Sequence, residues 1–254
     1  MPNLKLAKKI YRLQNEIVRA LNDTHIFTYQ AVPLLGDVKA TYENSKSKKD
    51  KRYYVPSISS DGYARRTDLE LKAVYDRFLN SGLYESFLVS SVSRFEYFLS
   101  DVLREVFIAY PKKLGISLKD IPTCPSVSAT EIADADDVDD LLMQVIDAHL
   151  TGVFHQRPST YIAYLCKVVG VENAPCFNDY YEILATRDLV VHNLSVVNKL
   201  YLDKAGAKAR GKIKQKLEID RTYFENSLAL LKRVSGVIKR DVEKHFGDHS
   251  EDTT

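Results

Sequence analysis

Apolar residues recur at intervals of three and four through most of the chain, the spacing of helices that bury one face. Leu6, Ile10, Leu13, Ile17 and Leu21 form one such stripe and predict a first helix over residues 4–22. Lys5, Lys8, Lys9, Arg12, Glu16 and Arg19 cover much of the rest, as on a solvated face. Thr67-Asp68-Leu69-Glu70 has the form of a helix start, and Asn80-Ser81-Gly82 that of a break or turn. The strongest pattern follows, in Tyr84, Phe87/Leu88, Val92, Phe95, Phe98/Leu99, Val102, Val106 and Tyr110, and Pro111 ends it. Shorter helices are expected over residues 141–154 and 160–169, the second closed by Gly170. Asp220 can cap a last long helix that reaches about Phe246, with Phe224, Leu228, Leu231, Val234, Ile238 and Val242 inward. The sum predicts an all-α protein of roughly five to seven helices, an up-and-down bundle with loop insertions.

One stretch breaks its own pattern. Residues 180–201 read as a single helix, capped by Asn178 or Asp179, whose apolar stripe runs through Tyr180, Ile183/Leu184, Val190/Val191, Leu194, Val197 and Tyr201. Position 187 falls inside that stripe and is Arg187. A guanidinium stays charged at any ordinary pH, and burying it unpaired is costly. Arg187 must therefore meet an anion, a partner chain or a ligand. His192 follows five residues later, and imidazole titrates near neutrality. Asp188 precedes His192 by four, within reach along a helix. Positions five apart lie about 140° apart around a helix and about 7.5 Å along it. Arg187 and His192 thus line one groove only if the helix deforms near His192-Asn193 or a second copy packs there. A two-fold axis would bring two of each into one cleft. The structural alternative pairs Arg187 with a carboxylate such as Glu96 or Glu182 and leaves His192 an ordinary helix histidine.

The remaining segments differ in charge and breaker content. Residues 31–63 carry Pro33, Gly36, Pro56 and Gly62 and read as an excursion, not a core element. This divides the chain into a helix plus basic loop over 1–66, a helical domain over 67–246 and a disordered tail over 247–254. The run KSKKDKR at 46–52 has five basic residues and one acid, a solvated loop or a guide for a polyanion. The run EIADADDVDD at 131–140 holds six acids. It lacks the glycine and final Glu of a calcium loop, so an acidic turn leading into a helix is expected, with Asp139 and Asp140 at its positive end. After residue 201 comes LDKAGAKARGKIKQK, where Gly206 and Gly211 argue for a flexible connection. Its cations are Lys204, Lys208, Arg210, Lys212, Lys214 and Lys216, and their place just after the Arg187/His192 stretch makes them candidates to hold RNA phosphates.

Composition adds bounds. The chain has 254 residues, 45% apolar, with a net charge of +2, so the whole-molecule field says little about partners. Cys124, Cys166 and Cys176 are odd in number without CxxC spacing, as free thiols are. His149 and His155 have no ligand partner one turn on. No metal or cofactor site is expected. The chain has no signal-like N-terminus and no run long enough to span a bilayer, which points to a soluble cytoplasmic protein with no membrane partner.

Arg187-Asp188-Leu189-Val190-Val191-His192, followed by Asn193, resembles the hallmark of the HEPN superfamily, and Ser93 to Phe107 looks like the early helix of such domains. The resemblance implies a helical bundle, commonly a homodimer, and in many members a metal-independent endoribonuclease of toxin–antitoxin or antiviral-defence systems. It implies that His192 is the general acid or base and that Arg187 stabilises the phosphorane. Asp188 would set the imidazole tautomer, and Asn193 would hold phosphate or fix the helix bend. The expected products are a 2′,3′-cyclic phosphate and a 5′-OH, and the expected partners are RNA, a second copy and an antitoxin or sensor protein. The alternative is a non-catalytic dimer of the same type that binds RNA, nucleotide or a partner protein.

Overall fold

A computed structural model describes residues 2–56, 58, 62–135, 137–172 and 174–246. Among the described residues the protein is all-α apart from one two-stranded ribbon. Its elements are α1 (Pro2–Glu43), β1 (Lys51–Tyr54), β2 (Tyr63–Arg66), α2 (Asp68–Arg77), α3 (Leu83–Ala109), α4 (Ala129–Asp134), α5 (Val138–Phe154), α6 (Pro158–Val169), α7 (Cys176–Asn193), α8 (Lys199–Ala205) and α9 (Arg221–Phe246). None of these helices is long and apolar enough to cross a membrane. The expected disorder at 247–254 lies outside the described residues.

Helix α3 is the hub. It packs against α1, α5, α6, α7 and α9. Its aromatic and aliphatic stripe, Leu88, Val92, Phe95, Leu99, Val102 and Val106, is fully buried. Each such side chain contributes about 1.5–3 kcal/mol of apolar burial. Tyr180 of α7 meets Phe95 edge-on at 5.3 Å between ring centroids, which fixes α7 against this hub. Helix α9 closes the other side with its six predicted inward residues buried. Asp220 does cap it, accepting the Tyr223 amide at 2.8 Å. The capping box at α2 is also present, with the Thr67 amide donating to Glu70 at 2.7 Å. Asp137 caps α5, and Asp139 and Asp140 occupy its first turn. The three cysteines are free.

Three expectations need correction. The first helix does not end near Asn22 but runs 42 residues, through Pro33 and Gly36. An interior proline removes a hydrogen bond at a cost of about 3 kcal/mol. The helix continues past it alongside α2, where Lys39 meets Asp76 at 2.6 Å, Lys72 meets Glu43 at 3.0 Å, and Tyr42 lies against Tyr75. Residues 31–43 are therefore helix, not excursion. Asn80-Ser81-Gly82 does not break the chain either. It sits in a π-helical segment, Phe78–Gly82, that joins α2 to α3 without leaving the helix. Ser81 donates to Glu85 there at 2.6 Å. Part of the basic run forms a strand, since Lys51 and Arg52 belong to β1.

Gly170 ends α6 with φ at +80°, and a Cβ there would stand 2.8 Å from the His245 ring. Gly170→Ala should therefore lower stability by about 1–2 kcal/mol or more, because a left-handed conformation and a clash coincide. Urea denaturation followed by circular dichroism measures it.

Candidate functional site

Helix α7 is wrapped on several sides, by α3, α6, α8 and α9, so its buried face is wide. Tyr180, Ile183 and Leu184 point inward as expected, but so do Glu182, Ala185, Thr186 and Leu189. The helix stops at Asn193 instead of continuing to Tyr201. Leu194 and Ser195 both take left-handed conformations, at φ 49° and 63°. The long single stripe is thus corrected: Val191 and Leu194 are 49% and 84% exposed, and Val197 and Tyr201 reach the interior from separate segments. Neither Asn178 nor Asp179 caps α7. Both lie within the helix, whose cap position is Pro175.

Arg187 sits on the flank of this face. Its Nη2 donates to Glu96 of α3 at 2.7 Å, and its Nη1 lies 3.5 Å from Asp188. Its Nε is buried without a partner. The pair borders an open cleft of about 740 Å³ between α3 and α5, shared with Ser100, Arg104, Asp147 and Thr151. Burial pushes the Glu96 carboxyl up from its ordinary pKa, against the opposing pull of Arg187 and of the Tyr161 hydroxyl. This is the ion pair named as the structural alternative for Arg187.

Asp188 does not bond His192. Its carboxylate accepts from Lys204 of α8 at 2.7 Å and faces Arg187 on its other oxygen. Two full cations outcompete an imidazole that needs to be protonated to attract a carboxylate equally. His192 is exposed in the last turn of α7, and its imidazole makes no hydrogen bond among the described residues. It borders a smaller hollow, about 240 Å³, with Asp188, Asn193, Asn198 and Lys204. Arg187 and His192 therefore open onto two different hollows of one chain, as their helical spacing requires, and Asp188 stands between them. The Asn193 amide donates to the Val196 carbonyl and closes the turn after the helix.

The basic segment is ordered, which corrects the expectation of a flexible connection. Lys204 lies in α8, Lys208 pairs with Asp179 at 2.6 Å, and Arg210 pairs with Glu182 at 2.9 Å. Gly211 serves close approach, since a Cβ there would lie 2.8 Å from Leu217. Lys214 donates its backbone amide to Val197, Val197 to Gln215, and Leu217 to Ser195, each at 2.8–2.9 Å. This strap lays Lys212, Lys214 and Lys216 beside the chain that leaves α7. These three lysines are exposed and make no ion pair among the described residues, whereas Lys204, Lys208 and Arg210 are already engaged.

The group that assembles the site was not among the candidates. Glu182 is 5% exposed. It accepts from Thr186 at 2.6 Å, Tyr201 at 2.9 Å, Arg210 at 2.9 Å and Tyr223 at 2.8 Å. Arg210 also stacks on the Tyr223 ring, 3.5 Å from its centroid. The local signal for it was a Glu with a Thr one turn on, inside an apolar run. Around it, Ala185, Leu189, Val197, Tyr201, Ala205 and Leu217 form a second small core that clamps α8 and the strap onto α7.

No protein-family model, no curated protein and no solved structure matches the chain.

Glu182→Ala should cost about 3–5 kcal/mol, the effect of leaving one member of a buried pair alone. Glu182→Gln, which keeps the shape and one acceptor oxygen for one of the two tyrosines, should cost less. Urea midpoints of the two variants measure the difference, and equal losses would contradict a role for the charge.

Proposed function

We propose that the protein is a metal-independent endoribonuclease of the HEPN type, active as a homodimer. The observation that supports it most is His192. It is an exposed imidazole without a hydrogen-bond partner among the described residues, at the end of a helix, beside Lys204 and a strap of three unpaired lysines. A histidine so placed is free to exchange a proton with an RNA 2′-OH, and the lysines can hold the flanking phosphates. Attack of the 2′-oxygen on phosphorus then yields a 2′,3′-cyclic phosphate and a 5′-OH.

Arg187 supplies the second function. Glu96 occupies part of its fork, yet a guanidinium carries five donors, and those left can meet a phosphorane oxygen. Asp188 takes a different role from the one its spacing suggested: it holds Lys204 and Arg187 in place. Because Arg187 and His192 open onto separate hollows, the active site takes its second half from a partner copy. Apolar side chains support such a contact. Val191, Leu194, Leu200 and Ile213 are 49–84% exposed in the segments around His192. The biological setting that fits is a toxin or antiviral-defence effector, with an antitoxin or sensor protein as regulator.

One observation favours a second reading. The 2.7 Å Arg187–Glu96 pair holds the arginine as a structural ion pair does. On that reading the dimer binds RNA, a nucleotide or a partner protein without cleaving.

Purified protein incubated with total RNA and EDTA should release fragments ending in 2′,3′-cyclic phosphate. His192→Ala should reduce the rate by about 100-fold or more, the range of a lost general acid or base, and Arg187→Ala should do likewise. Salt-sensitive binding without cleavage selects the second reading. Leu194→Asn should tolerate the left-handed backbone while removing exposed apolar surface. It should shift the dimer toward monomer in analytical ultracentrifugation and lower cleavage in parallel. A monomeric variant of full activity contradicts the composite site.

A further inference from the structure

The β1–β2 ribbon is far from α7 in sequence and carries its own chemistry. Its antiparallel register pairs Lys51 with Arg66, Arg52 with Arg65, Tyr53 with Ala64 and Tyr54 with Tyr63. Facing residues share a side of the ribbon, and sides alternate along each strand. One side therefore carries Lys51, Tyr53 and Arg66, and it is turned to the bundle. Lys51 meets Asp68 at 2.6 Å and lies over the Tyr42 ring. The other side carries Arg52, Arg65, Tyr54 and Tyr63, and all four are exposed.

That outer side is unusual electrostatically. Like charges directly across a ribbon repel, yet Arg52 faces Arg65, and neither makes an ion pair among the described residues. No carboxylate stands in either strand. Arg52 instead lies over the Tyr63 ring at 5.7 Å, and Tyr63 meets Tyr54 edge-on at 5.6 Å. Two guanidinium forks beside two exposed phenol rings match a ligand with phosphates and aromatic faces. An acidic peptide would use the arginines and leave the rings idle. A duplex keeps its bases stacked and cannot use the rings either.

We propose that the outer face of this ribbon is a docking site for single-stranded RNA, with Arg52 and Arg65 on phosphates and a base stacked on Tyr63. The choice of RNA over single-stranded DNA rests on the nuclease reading, and the ribbon would then hold substrate away from the reacting bond. The ribbon's place in the fold suits that task, since Lys51–Asp68 anchors it to the start of α2 while Arg52, Arg65 and Tyr63 are exposed on its outer side.

The test uses the full chain and a fluorescent 2′-O-methyl oligouridine, which binds but cannot be cleaved. Anisotropy across a series of salt concentrations gives affinity and salt slope. The Arg52→Ala/Arg65→Ala double variant should weaken binding about tenfold and lower the slope by about 1.4, two phosphates at about 0.7 each. Tyr63→Ala should weaken it about tenfold, and Tyr63→Phe should restore it. Arg52→Gln and Arg65→Gln as single variants serve if the double variant does not fold. Unchanged affinity and slope in the arginine variants overturns the proposal, as does tighter binding of a duplex or a Tyr63→Ala variant that binds normally. Failure of the nuclease reading looks different: His192→Ala and wild type then share zero cleavage while the ribbon variants still lose binding. A tighter grip on the oligodeoxyuridine would contradict the choice of RNA.

Discussion

A buried carboxylate holds together the end of this molecule that carries the candidate site. Glu182 lies inside α7 and collects Thr186 of its own helix, Tyr201 of α8, Arg210 of the strap and Tyr223 of α9. Taking an ionised carboxylate out of water costs several kcal/mol, and the cost is offset only when its lone pairs are filled and a cation is close. Glu182 meets both conditions, and to meet them four segments must arrive together. Their arrival fixes where Lys204 stands and where the strap crosses the end of α7. His192 owes its surroundings to a residue ten positions earlier that it does not touch.

A second charge chain runs along the helix surface: Glu96, Arg187, Asp188 and Lys204 alternate in sign across α3, α7 and α8. Each member is about one-quarter exposed, so each ion is partly desolvated and partly reachable from water. Such a chain is rigid in charge but not closed to ligands. A phosphate arriving at Arg187 would compete with two carboxylates, Glu96 and Asp188, not with a sealed core. The chain also explains why His192 is left alone: the carboxylate one turn before it already serves two cations.

Several elements were legible because their signals are local. Thr67 with Glu70, Asp220, Pro111 and Gly170 each act within a few residues, and each starts or ends a helix where expected. The failures share a different cause. Pro33 and Gly36 argue against helix only until α2 packs alongside. Gly211 reads as a flexible joint but is needed so that the backbone can approach Leu217. The strand at Lys51 is too short to show alternation against a background of lysines. In α7 the three-and-four spacing runs on past the end of the real helix, so Leu194 falls on the apolar stripe although it is exposed in a left-handed turn. Arg187 on an apolar stripe implies an anion, and Glu96 of α3 is that anion. Glu182 has the right chemistry to pair with Arg187, but its cation is Arg210, from a segment whose glycines suggest a loose linker.

On the nuclease reading, RNA meets the His192 imidazole. Proton NMR of the histidine ring resonances, with His192 identified by its loss in His192→Asn, follows this directly during titration with a 2′-O-methyl dinucleotide. The His192 signal should then shift saturably while that of buried His149, bonded to Tyr164, stays in place. A His192 signal that does not move while the dinucleotide binds elsewhere would contradict it.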